Sequence, residues 1–219
     1  MNEEPAINAF ATTAPAVLQA EGLFFSYPQR ELFIDWSARI TPGLTLVRGG
    51  DGAGKTTLLR LLAGALPAQA GTLQVHQLRL DQQPEAYRDQ VFWADPLSSA
   101  FDQSTPVDYF KSLHEGERVV DAPRLSDLIE GLALAPHLEK PLYMLSTGSK
   151  RKVWLAGAFA SGAAVTLLDD PFAALDKRSI NFVMELLHEA ARNPMRAWVL
   201  AHHEAPGDVP LAATINLGA

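Results

Sequence analysis

Eight residues, Gly49-Gly50-Asp51-Gly52-Ala53-Gly54-Lys55-Thr56, satisfy the spacing G-x-x-x-x-G-K-[ST]. Glycines at these intervals let a loop curl until successive backbone N–H groups point inward at phosphate oxygens, and a following helix presents its positive end to the same charge. Lys55 is then placed to neutralise the β- and γ-phosphates, and the Thr56 hydroxyl to ligate Mg²⁺. The expected nucleotide contacts run from Gly49, Gly50, Asp51, Gly52, Ala53 and Gly54 through Lys55, Thr56 and Thr57. A second run, Ala164-Val165-Thr166-Leu167-Leu168-Asp169-Asp170-Pro171, is apolar until it ends on two carboxylates. A strand buried on both faces reads this way, and open α/β sheets hold ligands at strand carboxyl ends. Two adjacent acids there repel each other unless a metal or a water proton offsets the charge. Asp169 suits a metal contact, and Asp170 suits activation of an attacking water.

These residues need elements to carry them. Val17-Leu18, Leu23–Phe25, Leu32–Ile34 and Leu44–Val47 read as strands punctuated by Pro28 and Pro42-Gly43. The spacing predicts a helix over Lys55–Leu62 and a strand over Thr72–Leu78. Leu125, Leu128, Ile129 and Leu132 recur at helical spacing after the start signal Asp121-Ala122-Pro123. A helix after Ser146, a strand at Val165–Leu168, a helix over Asp176–Arg192 and a strand at Ala197–Ala201 follow. Such alternation implies an α/β fold with a mainly parallel sheet, an N-terminal antiparallel β portion and an inserted helical subdomain, about 97–152. Residues 1–16 are expected to be a flexible lead-in, and 17–219 one domain.

Composition narrows the class. The 219 residues carry 18 basic and 25 acidic side chains, a net charge of −7, so no global footprint for nucleic acid is present and no nucleic-acid partner is expected. Without cysteine there is no disulfide, thiolate metal site or thiol nucleophile. No run is apolar for the roughly 18 residues that a membrane-crossing helix needs. The acidic start Asn2-Glu3-Glu4-Pro5 is unlike an export signal, so the expected address is the cytoplasm.

Leu145-Ser146-Thr147-Gly148-Ser149-Lys150-Arg151-Lys152 stands just before the acidic strand. With the phosphate loop and Asp169-Asp170-Pro171, it resembles the ATP-binding subunit of an ABC transporter, a P-loop NTPase, over about residues 18–204. Ala174-Leu175-Asp176 is similar to that family's ALD loop, His203 in Leu200-Ala201-His202-His203 to its switch histidine, and Tyr27 to its adenine-stacking aromatic. The resemblance implies ATP and Mg²⁺ as cofactors and two subunits head to tail, the phosphate loop of one closed by Ser146 and Gly148 of the other. It further implies a separate integral-membrane permease and a seat on the inner face of the cell membrane. Lys55, Asp170 and His203 would then act on the phosphates, with Thr56, Asp169 and Asp95 toward the metal. The compact length and Asp170-Pro171-Phe172 also resemble the small ATPases of haem-export systems for cytochrome maturation.

Four departures bear on turnover. Asp170 stands where the family has Glu, one methylene shorter, which predicts slow hydrolysis. Asp95, in Val91-Phe92-Trp93-Ala94-Asp95-Pro96, stands for a glutamine, or is simply a turn residue before Pro96. Thr147 and Ser149 replace Gly and Gln, and Asp51 adds charge to the phosphate loop. Phe92, Trp93, Phe101, Tyr109 and Phe110 are either core or a groove for the permease; Lys150, Arg151 and Lys152 read as a solvated helix face, and His202 is given no role, because strand alternation points it away from His203. Three rivals stay open: an ATP-clamping regulatory subunit without turnover, a soluble non-transport member of the superfamily, and a P-loop kinase.

Overall fold

The computed structural model describes residues 15–95, 98–114 and 119–218. The lead-in expected at 1–16 falls, apart from Pro15 and Ala16, outside the described residues, as does Pro96 of the expected turn. In chain order the elements are β1 (Leu18–Tyr27), β2 (Arg30–Ile40), β3 (Gly43–Arg48), α1 (Lys55–Leu62), β4 (Ala70–Val75) and β5 (Leu78–Arg79). There follow α2 (Pro84–Asp89), β6 (Val91–Trp93), α3 (Pro106–Ser112), α4 (Ala122–Gly131) and α5 (Thr147–Ala160). The last are β7 (Val165–Asp169), α6 (Lys177–Ala191), β8 (Ala197–Ala201) and β9 (Ala213–Asn216).

Two sheets result. One is wholly parallel, in the order β6-β7-β8-β3-β9, and the other is antiparallel, in the order β2-β1-β4-β5. Every residue of β8 is buried, and β7 is buried up to Asp169, as strands covered on both faces must be. Alternate residues of the parallel sheet feed two cores. Leu44, Leu46, Leu168, Trp198 and Leu200 pack with α3, α4, α5 and α6. Val47, Val165, Leu167, Ala197, Val199 and Ala201 pack with α1 and the antiparallel sheet. The phosphate loop and the acidic pair therefore leave the same edge of one rigid layer, since Asp169 lies beside Ala201 and Val47 beside Ala201.

Local chemistry starts the helices where the polar residues indicate. Asp121 accepts from Arg124 N at 2.9 Å, Ser146 from Ser149 N at 3.1 Å and Asp176 from Ser179 N at 2.9 Å, each capping a helix. Leu128 and Leu132 are buried in the core, with Leu125 and Ile129 packed against it, so the helical spacing in the middle of the chain marks a packed face. The strand expected over Thr72–Leu78 is in fact a hairpin, β4 and β5, because His76 turns the chain at a φ of +53°. β6, β9 and α2 lacked a readable pattern: they span three, four and six residues.

Candidate functional site

A cleft of about 590 Å³ opens at the carboxyl ends of β3, β7 and β8. Gly54, at a φ of +98°, swings the chain directly into α1, a conformation that glycine takes without strain. Gly49 has no room for a side chain, because a Cβ there would sit 2.8 Å from both the Ala53 Cβ and the Leu217 carbonyl oxygen. Lys55 Nζ bends back to donate to the carbonyls of Gly49 at 2.7 Å and Gly50 at 2.9 Å. The ammonium thus stands inside the loop, where a phosphate would meet it. Arg30 donates from Nη1 to the Gly52 carbonyl at 2.9 Å, bracing the loop from the hairpin β1–β2.

Thr56 Oγ1 donates to Asp169 Oδ2 at 2.7 Å. Two hard oxygens side by side at the mouth of a phosphate loop are the donor set that Mg²⁺ accepts when phosphates and waters complete its shell. The residues therefore fit the metal. Burial pushes the Asp169 carboxyl above the usual range, and the Asp170 charge adds to that, while the Thr56 hydrogen bond pulls the other way. A cation would relieve this cost. Asp170 follows with its main chain in the left-handed region, at a φ of +44°, its N–H donating to the Ala201 carbonyl at 2.9 Å.

The structure gathers Tyr27, Asp51 through Thr57, Asp95, Asp169, Asp170 and His203 round this one cleft. Tyr27 is 42% exposed, its hydroxyl 3.3 Å from Thr57 Oγ1 and its ring edge-on to Phe25. Ser146 and Gly148 are not part of the cleft. Ser146 caps α5, and a Cβ on Gly148 would lie 2.3 Å from the Ala174 carbonyl oxygen, so the close approach that this glycine allows is to its own chain.

Two readings of the sequence are corrected. His202 does not point away: β8 ends at Ala201, the alternation stops there, and both histidines line the cleft with rings 4.1 Å apart. His202 lies with Nε2 3.5 Å from Asp170 Oδ1, whereas the more exposed His203 lies 4.0 Å from Glu204. His202 Nδ1 lies 3.0 Å from the Glu204 carbonyl oxygen and 3.2 Å from the Glu204 N–H, so the backbone of Glu204 anchors this ring while Nε2 faces Asp170. Nor are Lys150, Arg151 and Lys152 a solvated face. Lys150 pairs with Asp102 at 2.8 Å and Lys152 with Asp176 at 2.6 Å, while Arg151 donates to the carbonyls of Asp169 and Asp170. Arg30, Leu32, Arg151 and His202 were the cleft residues that sequence reasoning passed over. Arg30 was the most accessible of them, since it sits opposite Tyr27 across a two-residue turn.

On the other side of Asp95 lies a cleft of about 510 Å³, lined by Phe92, Trp93, Phe101, Tyr109 and Trp154 among others. Phe92, Tyr109 and Phe110 are buried, so the aromatic cluster is part core; Trp93 and Phe101 are only partly covered.

The family model for ABC transporters matches residues 35–173. A cytochrome c biogenesis ATP-binding export protein of Pseudomonas savastanoi pv. phaseolicola is 33% identical over 76% of this chain and 79% of its own. A taurine import ATP-binding protein of Pseudomonas fluorescens is 32% identical over 92% of this chain and 77% of its own. A solved ATP-binding subunit of an ABC transporter superposes with a TM-score of 0.75 at 23% identity, covering 85% of this chain and 79% of that one, which speaks for the fold. With the phosphate loop, the acidic strand end and the capped Ser146 helix in that family's order, this chain belongs to the ATP-binding subunits of ABC transporters.

Proposed function

We propose that this subunit binds MgATP in the cleft beneath Tyr27 and hydrolyses it while paired head to tail with a second ATP-binding subunit, driving a separate integral-membrane permease. The observation that carries the reading is the Thr56–Asp169 pair at 2.7 Å with Asp170 next to it in the same cleft. Bound MgATP brings the scissile phosphoanhydride and the charge-neutralising metal. Lys55 and the amides of Gly52–Thr56 hold the phosphates, Thr56 and Asp169 hold the metal, with Asp95 as an added acidic contact, and Tyr27 stacks on the base. Asp170 takes a proton from the attacking water, and His203 donates a hydrogen bond to the γ-phosphate. The shorter Asp170 side chain makes this step slow.

Ser146 and Gly148 stand outside their own chain's cleft, which supports a second subunit whose Ser146 helix end would close it. ATP is then the adhesive between the two, and loss of the γ-phosphate opens them. The partly covered aromatics Trp93 and Phe101 suit a segment of the permease, which would hold the subunit at the inner face of the membrane. Among the described residues no helix is long and apolar enough to cross a membrane itself. Residues 17–219 act as one ATPase domain with a helical subdomain at about 97–152. Several relatives are cytochrome c biogenesis export proteins, which favours export in haem–cytochrome c maturation as the system served.

The test is twofold. Membranes solubilised with MgATP and captured through this subunit should yield a multi-span protein; recovery of ribosomes or DNA enzymes instead would favour the soluble reading. The purified chain should hydrolyse MgATP, and Asp170→Asn should lower turnover about 100-fold with nucleotide affinity retained. Turnover unchanged by Asp170→Asn removes the residue from its role. A chain that binds without any turnover leaves the regulatory-clamp reading.

A further inference from the structure

We propose that Arg151 is a positioning residue that ties the aim of the Asp170 carboxylate to the helix beginning at Ser146. The inference rests on the hydrolytic reading above and adds a residue to it. Arg151 stands on the second turn of α5, and its Nη1 donates to the Asp169 carbonyl at 3.2 Å and to the Asp170 carbonyl. One guanidinium nitrogen carries two hydrogens, one for each carbonyl, and the rigid fork fixes both peptide planes at once. Its neighbours on the helix reach carboxylates instead, Lys150 to Asp102 and Lys152 to Asp176. Arg151 alone of the three binds the main chain, at the carbonyls that flank Asp170.

That main chain needs holding. A non-glycine residue at a φ of +44° is in a sparsely populated conformation, kept only where surroundings over-determine it. Here the Asp170 N–H is taken by the Ala201 carbonyl, and its carbonyl by Arg151 together with the Ala173 N–H at 3.2 Å. The direction of the Asp170 side chain follows from this kink. With one methylene fewer than Glu, the carboxylate has less freedom to correct a misdirected Cβ, so its aim depends on the backbone.

The first turns of α5 touch the segment 169–176 at three successive places. Gly148 abuts Ala174, Arg151 grips Asp169 and Asp170, and Lys152 pairs with Asp176, the cap of α6. A shift of the Ser146 end when it meets the partner's nucleotide is therefore carried to Asp170 through a rigid lever of two helical turns. The proposed base of one site then senses whether its own subunit's Ser146 helix is docked on the other.

The experiment compares the parent chain with Arg151→Met and Arg151→Lys. Three quantities are measured: MgATP turnover, nucleotide Kd, and amide hydrogen exchange over residues 169–174. Arg151→Met should lower kcat about 10-fold or more, leave Kd within about 2-fold, and speed exchange at Asp170–Ala173, with Arg151→Lys intermediate in kcat. Parental kcat and parental exchange in Arg151→Met overturn the proposal, as does a loss of Kd in step with kcat. If Arg151→Met does not fold, Arg151→Lys decides by the same split: lowered kcat at unchanged Kd supports, parental kcat overturns. If the parent itself shows no turnover, hydrolysis as proposed above fails separately, and the exchange comparison alone decides the Arg151 linkage.

Discussion

The two halves of the cleft are built differently. The phosphate loop is assembled by eight consecutive residues that answer to each other: Gly49 and Gly50 supply the carbonyls that hold Lys55, and Gly54 supplies the turn that starts α1. The acidic end is assembled from a distance. Asp170 is kinked at the end of β7, tethered through its backbone to β8 and α5, and faced by His202. The first half needs chiefly a strand, a helix and the right residue types, with Arg30 of the β1–β2 hairpin as an outside brace. The second needs three elements, β7, β8 and α5, in register. Grip on the triphosphate and cleavage of it should therefore be separable by mutation.

The largest separation is expected at Lys55. Lys55→Ala removes the ammonium that Gly49 and Gly50 hold, and nucleotide affinity should weaken about 100-fold, read by equilibrium binding of a fluorescent ATP analogue. Parental affinity would break the contrast at its strongest point. Gly148→Ala probes the other half. Its Cβ would lie 2.3 Å from the Ala174 carbonyl, so the segment after Asp170 must move. Turnover should fall about 10-fold while the isolated chain keeps its affinity, and a variant that turns over at the parental rate would show the two halves to be less distinct than drawn.

The smallest effect concerns stability. The native Asp169 carboxyl titrates above its unfolded value, because burial disfavours the charge. The native state thus binds this proton more tightly than the unfolded chain, and stability falls as pH rises through the native value. At neutral pH, without nucleotide, the charged carboxylate is a cost. Asp169→Asn should raise Tm by about 2 °C there, the gain shrinking toward acid pH, where the parent is neutral too. With MgATP the order should reverse, because the parent alone gains from the metal. A lower Tm for Asp169→Asn at neutral pH without MgATP refutes this account of the charge.

What was legible in the sequence follows the same division. The phosphate loop, the apolar strands β7 and β8 and the helix caps Asp121, Ser146 and Asp176 each announce themselves within a few residues, because their physics is local. Arg151 and His202 could not be read that way. A basic run after a helix cap looks solvated until the strand end it reaches is known, and the direction of His202 depends on where β8 stops. β6 is three residues of ordinary apolar sequence, made a strand by pairing with β7.

The alternation along β8, where Trp198 and Leu200 face α5 and α6 while Ala197, Val199 and Ala201 face α1, makes the parallel sheet a partition with a separate packing problem on each side. The partition is crossed where Arg151 of α5 grips the carbonyls of Asp169 and Asp170. Repacking round α5 therefore reaches the acidic strand end through that one crossing, while the rest of the sheet keeps the two interiors apart.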